Sequence, residues 1–387
     1  METEITGFQN RRNFVKNVAG LGTSIGVGTK MLRGGDSKVE IVTHRSDGNI
    51  VKTKRVPADW HDHSAHVYNV LEQSAEDYLS LSGVSAISAH SPKEPNNVTP
   101  TFAGKSGFCI RIFATSNSVR DEIPSKIQNV DMLVDLGPAA DYMAQCHNSW
   151  SFSSVRGNIE INEGSPDGTY GTSGCITYDK VYDRPLMLTV LHVVGDKCDS
   201  TSSIGNTVTQ NGSGLGEVEK ADDTQDVAFI KNTSSSKNFS DYILRSDTGN
   251  DVPVEGYVTE EGCKDLASDS ITVYKSGIAT GTIKDAMTDV YYYPDDVYYN
   301  CDGSQDYYGH AVGTDHRIIG GDSGGPIHDI SSGDAYMIGL NSLGDGDLHW
   351  QDPCNTGTKY RERQDTFGPS AYKIKDRFPS ISFSGPS

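Results

Sequence analysis

Seven residues in the last quarter of the chain, Gly320-Gly321-Asp322-Ser323-Gly324-Gly325-Pro326, set four glycines around one hydroxyl, between Ile318-Ile319 and Ile327. Without a Cβ, glycine reaches backbone angles closed to other residues and lets amides approach a ligand oxygen closely. In such a loop the amides of Gly321 and Ser323 can point into one small space. They would stabilise the oxyanion formed when Ser323 Oγ attacks a carbonyl. A serine used this way needs a base and an orienting acid, so the fold must gather distant segments.

Both groups are present upstream. The apolar run Leu186-Met187-Leu188-Thr189-Val190-Leu191 delivers His192, the candidate base. Asp226 precedes the buried-strand pattern Val227-Ala228-Phe229-Ile230 and is the candidate acid, accepting from His192 Nδ1. The spacings, 34 residues from His192 to Asp226 and 97 from Asp226 to Ser323, leave room for one β-barrel holding the first two and another holding the third. Gly321-x-Ser323-x-Gly325 also fits the nucleophile elbow of α/β-hydrolases, but there acid and base follow the serine. Here 64 residues follow Ser323, with His328 and His349 as their only histidines.

The glycine loop, the strand ending Thr189-x-x-His192 and the Asp226-x-Ala228 stretch resemble trypsin/chymotrypsin-like serine peptidases, over roughly residues 155–380. The resemblance implies an all-β catalytic domain, a double antiparallel β-barrel, with a short C-terminal helix at Ser370–Phe378. It implies hydrolysis of peptide bonds through an acyl-enzyme, with a protein or peptide as substrate and no metal or cofactor. It places the walls of a specificity pocket at Arg317-Ile318-Ile319 and Asn341-Ser342-Leu343-Gly344. Ser342 and Gly344 would bind substrate backbone, and Arg317, at the pocket floor, would favour an acidic side chain. Two positions depart from the pattern: Ile319 stands where many relatives carry a half-cystine, and Leu343 where an aromatic is usual. Cys175 and Cys198 bracket His192 as the family's disulfide brackets its histidine, implying a bridge between them; Cys301 would pair with Cys354 or Cys263.

A chain of 387 residues has room for two units and a leader. Residues 1–34, with Arg11-Arg12-Asn13-Phe14-Val15-Lys16 before a mildly apolar run, resemble a twin-arginine export signal too short to span a bilayer. Residues 38–140 read as a small α/β domain: strands at 39–42, 108–113 and 130–134, an amphipathic helix from Asp59 to Leu81 and a short one at Ser118–Ile127. This domain is either a propeptide or an accessory unit that stays attached to the peptidase domain at 150–387. His61, His63 and His66 on the long helix lack an acidic or cysteine partner and read as a polar face, not a metal site.

Of the formal charge of −19, about −18 falls in residues 151–387. Such a field repels nucleic acid and anionic membranes, so neither is expected as a partner. It also suits very salty surroundings, where screening removes self-repulsion. The expectation is a halophilic, secreted monomer that meets the twin-arginine machinery during export and has no stable membrane anchor. A silent binding protein on the same fold and an esterase with the same triad are the competing readings.

Overall fold

The computed structural model describes residues 37–92, 99–114, 117–136, 147–164, 169–196, 198–294, 310–351 and 360–385. The twin-arginine segment, Cys146, Cys301 and Cys354 lie outside the described residues.

The expected fold class is what the structure has: mainly antiparallel β-structure with few helices, one of them the short C-terminal helix Ala371–Arg377. Alternation sets the strands. In Asp251–Val258, Val252, Val254, Gly256 and Val258 turn inward while the residues between them face out, the two-residue period of a half-buried strand.

An eight-stranded sheet carries the first half of the region that follows residue 150. Its order is Tyr170–Thr172, Glu160–Glu163, Thr207–Gln210, Ser213–Asp222, Val227–Asn232, Arg184–Thr189, Cys175–Asp179 and Ile381–Ser382. The last strand comes from the C-terminus, so the chain's end is sewn back onto the first half. A sixteen-stranded sheet carries the second half, and the glycine loop joins its strands Ala311–Thr314 and Pro326–Ser331.

Residues 38–136 contain the expected strands and long helix, the latter at Ala58–Leu79, but they share their core with the second half. Lys38–Ser46 pairs with Asp251–Val258, and Val84–His90 pairs with Gly281–Pro294. Trp60, Val67 and Leu71 of the helix join one apolar cluster with Ile327, Ile338 and Tyr372. The strands of this segment add to the edges of the neighbouring sheet, and its long helix closes the apolar layer they share. Lys38–Ser387 is one compact unit.

Five local expectations are corrected. The helix at Ser118–Ile127 shrinks to Asn117–Arg120 and gives way to strand at Lys126–Ile127, because Pro124 lacks an N–H and disfavours helix at Ile123. A helix absent from the sequence reading spans Glu260–Ser268; its signal is Thr259, whose hydroxyl accepts from Gly262 N–H at 3.1 Å, followed by two glutamates. His63 is half-buried against the Phe102 ring and the Phe108 backbone and is not part of a solvated face. Cys175 is a free thiol buried in the strand that pairs with Arg184–Thr189, so the bridge to Cys198 is not formed. Cys263 is likewise free and buried, which removes it as a partner for Cys301. Among the described residues no helix is long and apolar enough to cross a membrane.

Candidate active site

The strand Arg184–Thr189 runs into a single helical turn, Leu191–Val194, whose Leu191, Val193 and Val194 are buried. Burying those three turns His192 outward, half-exposed. Asp226 meets it from the end of the neighbouring strand. The His192 N–H donates to Asp226 Oδ1 at 3.0 Å, and His192 Nδ1 lies 2.7 Å from Oδ2. Asp226 also holds the turn itself, its carbonyl accepting from Leu191 N–H at 3.1 Å.

Asp226 takes φ +47°, the left-handed region that costs a non-glycine residue of order 1 kcal/mol or more. The hydrogen bonds to His192 and Ser342 keep it there. Ser342 Oγ donates to Asp226 Oδ2 at 2.7 Å. Burial by itself pushes the carboxyl's pKa up; the imidazole beside it and the donated hydrogen bonds outweigh burial and hold it below the ordinary value.

The glycine loop is pinned from several sides. Asp322 N–H donates to Ile319 O at 3.0 Å, Gly325 N–H to Asp322 O at 3.0 Å, and Gly324 N–H to Asn341 O at 2.7 Å. Gly321 (φ +106°) and Gly324 (φ +87°) take angles that other residues avoid. Asn341 grips the loop while Ser342, the next residue, grips Asp226, so one strand end holds both the glycine loop and Asp226. Gly171 closes the assembly: a Cβ there would lie 2.5 Å from Val193 and 2.6 Å from the Ser323 carbonyl. The turn bearing His192 and the backbone of Ser323 thus meet across a residue with no side chain.

Among the described residues, the amides of Gly321 and Ser323 have no hydrogen-bond acceptor, whereas those of Asp322, Gly324 and Gly325 are all used. Two free donors in one tight loop can take up a negative oxygen. His192 Nε2 and Ser323 Oγ also make no hydrogen bond among these residues.

Lys275 was not singled out from the sequence. Its ammonium pairs with Asp322 in full burial and donates to Thr280 Oγ1 (2.8 Å) and Arg317 O (2.7 Å), which matches its three protons. Asp322 further accepts from the Ala279 and Thr280 amides, each at 3.0 Å, and from Thr280 Oγ1 at 2.8 Å. The available signal was a lone lysine among inward positions of the strand Thr272–Gly277.

The residues expected around a pocket fare differently. Arg317 has an exposed side chain, and its carbonyl is engaged by Lys275. Ile318 bridges to Arg363 through two 3.0 Å backbone hydrogen bonds. At Gly344 a side chain would collide with Ile318 and with the Arg363 stem, so the two walls touch at that level. Ser342 is committed to Asp226 through its hydroxyl and to Phe367 O through its N–H, 2.9 Å.

No protein-family model and no curated protein matches the chain. Solved structures that resemble it include proteases. The protease from Nocardiopsis aligns 98% of its length with 59% of this chain at 19% identity, TM-score 0.39. Protease A from Thermobifida fusca aligns fully with 60% of this chain at 17% identity, TM-score 0.40. A glutamic-acid-specific serine protease aligns 99% of its length with 59% of this chain at 18% identity, TM-score 0.40.

Proposed function

We propose that the chain is an exported serine endopeptidase. The observation that carries this reading is the His192–Asp226–Ser342 hydrogen-bond chain beside a serine loop with two uncommitted amides. Ser323 Oγ attacks the carbonyl carbon of a peptide bond and gives its proton to His192 Nε2. Asp226 stays ionised, fixes the ring tautomer through Nδ1–H and offsets the imidazolium charge. The tetrahedral oxyanion accepts from the Gly321 and Ser323 amides. His192 then protonates the leaving nitrogen, the C–N bond breaks and an acyl-Ser323 remains. Water, deprotonated by His192, attacks the acyl carbon, and the returning proton frees Ser323.

In this reading residues 38–136 stay attached. Gly256 and Gly262 lack side chains where the carbonyls of Arg45 and Thr43 press against them, and His44 Nε2 meets buried Asp329 at 3.1 Å. Lys54 and Lys105 both straddle Asp265 and Asp269 at 2.6–2.9 Å. Export rests on the Arg11-Arg12 segment alone.

The test is labelling of the full chain by a fluorophosphonate, beside Ser323→Ala, with a peptide and a simple ester as substrates. Labelling of the wild type only, with peptide hydrolysis, is expected. A wild-type chain that stays unlabelled overturns the enzymatic reading, and hydrolysis of the ester alone turns it into an esterase.

A further inference from the structure

Thr172 ends a strand of the first half of the catalytic region and is fully buried. Every polar atom it owns is committed, with two bonds to the glycine loop and one each to two other segments. Its N–H donates to Ser323 O and its hydroxyl to Gly321 O, both at 2.7 Å. The same hydroxyl accepts from Ile278 N–H at 3.1 Å, at the turn whose next two amides hold the Asp322 carboxylate. Its carbonyl accepts from Thr189 Oγ1 at 2.9 Å, three residues before His192.

We propose that Thr172 is the positioning residue of the oxyanion-binding loop, acting across the two halves of the catalytic region; this rests on the peptidase reading of the same site. Each peptide plane turns as a unit, so a held carbonyl also fixes the amide on the far side of its plane. Thr172 holds the carbonyls of Gly321 and Ser323, while Gly325 N–H holds that of Asp322 between them. With three consecutive planes locked, the amide of Ser323 has one direction, and Gly321, which reaches many angles, is restricted to one. Among the described residues the Thr172 hydroxyl is the sole donor to the Gly321 carbonyl. Asp322 N–H, on the same plane, is held by Ile319 O at 3.0 Å, so without the hydroxyl the plane keeps one restraint of two, can tilt, and sets the donor pair less closely on one oxygen. Thr189 extends the same restraint toward the turn that carries the base.

The experiment compares full-length Thr172→Val, which keeps the shape and loses the hydroxyl, with Thr172→Ser, which keeps the hydroxyl. Peptide hydrolysis is normalised to sites titrated with a fluorophosphonate, and binding of a peptide aldehyde is measured as well. For T172V the expected result is a fall in kcat of about 10- to 100-fold with KM within about threefold, since a small misplacement of a catalytic donor costs on this scale. The aldehyde, which forms the oxyanion, weakens in parallel, and T172S stays within about threefold of wild type in each quantity. Should T172V fail to fold, Thr172→Cys, with a thiol that donates poorly, carries the same expectation. Equal kcat in T172V and T172S, or a loss confined to KM, overturns the proposal while leaving the peptidase reading intact. An unlabelled, inactive wild type overturns both.

Discussion

Lys275 closes its ammonium on the carboxylate of Asp322, and neither side chain is open to solvent. Asp322 lies between Gly321 and Ser323, the two amide donors, so whatever anchors its carboxylate anchors them. With Lys275 in place, Asp322 has its counter-charge within the chain. Replacing Lys275 by Met strands a buried carboxylate, a loss of about 3–5 kcal/mol in pairs of this kind. Thermal melts of K275M should show that loss, and peptide hydrolysis should fall with it. Wild-type stability and turnover in K275M would falsify the anchoring role.

Asp226→Asn tests the base's orientation. An amide in place of the carboxylate favours the wrong ring tautomer, and kcat should drop by about 10⁴ with KM little changed. Stability follows with a definite sign. The Asp226 carboxyl is held below its ordinary pKa of about 3.9, so its contribution is present above that value and is lost as pH falls through the lower, folded-state pKa. Acid melts should therefore converge between wild type and D226N at low pH and diverge near neutrality. A constant gap across the range would count against the ionised pair.

His328 follows the nucleophile loop, fully buried and stacked on Tyr274 at 5.4 Å. Neither ring nitrogen has a well-directed partner. Burial, with nearby Arg245 adding to it, lowers its pKa to about 4, against the weaker pull of Asp329, Asp247 and the Pro326 carbonyl. The folded state thus binds this proton later than the unfolded chain, and stability drains away as pH drops from about 6.5 toward 4. His328→Phe removes two unsatisfied nitrogens and should stabilise by about 1–3 kcal/mol, more at pH 5 than at pH 8. Urea melts at the two pH values measure this; destabilisation at both would show that the ring nitrogens are needed.

Introducing a specific protease site between Leu136 and His147 and cutting there separates a removable pro-segment from an integral one. The shared core and the lysine–aspartate clamp predict that the two pieces elute together in gel filtration and keep peptidase activity. Release of the N-terminal piece with a rise in activity would establish the pro-segment instead.

The parts of the site legible in the sequence are those with a local signature: Ser323 in its glycines, His192 after an apolar run, Asp226 before one. Each signal is carried by neighbours a few residues away. Lys275 and Thr172 have no such marker. Lys275 meets its partner 47 residues on and Thr172 bonds to a carbonyl 149 residues away, and both contacts exist only once the sheets are packed. The cysteine pairing failed for the converse reason: bracketing His192 along the chain does not bring two thiols together, and Cys175 is a free thiol buried in a strand. Helix Glu260–Ser268 was hidden by its shortness, although its cap was readable at Thr259.

By itself the sequence determined the chemistry on offer and the β-rich class, because side-chain type and alternation are local properties. Only tertiary structure decided that residues 38–136 share a core with the strands that follow residue 250, that an internal lysine neutralises Asp322, and that Gly344 and Ile318 touch. Those outcomes depend on which surfaces meet, and burial settles them by leaving no apolar face or unpaired charge a cheaper place to go.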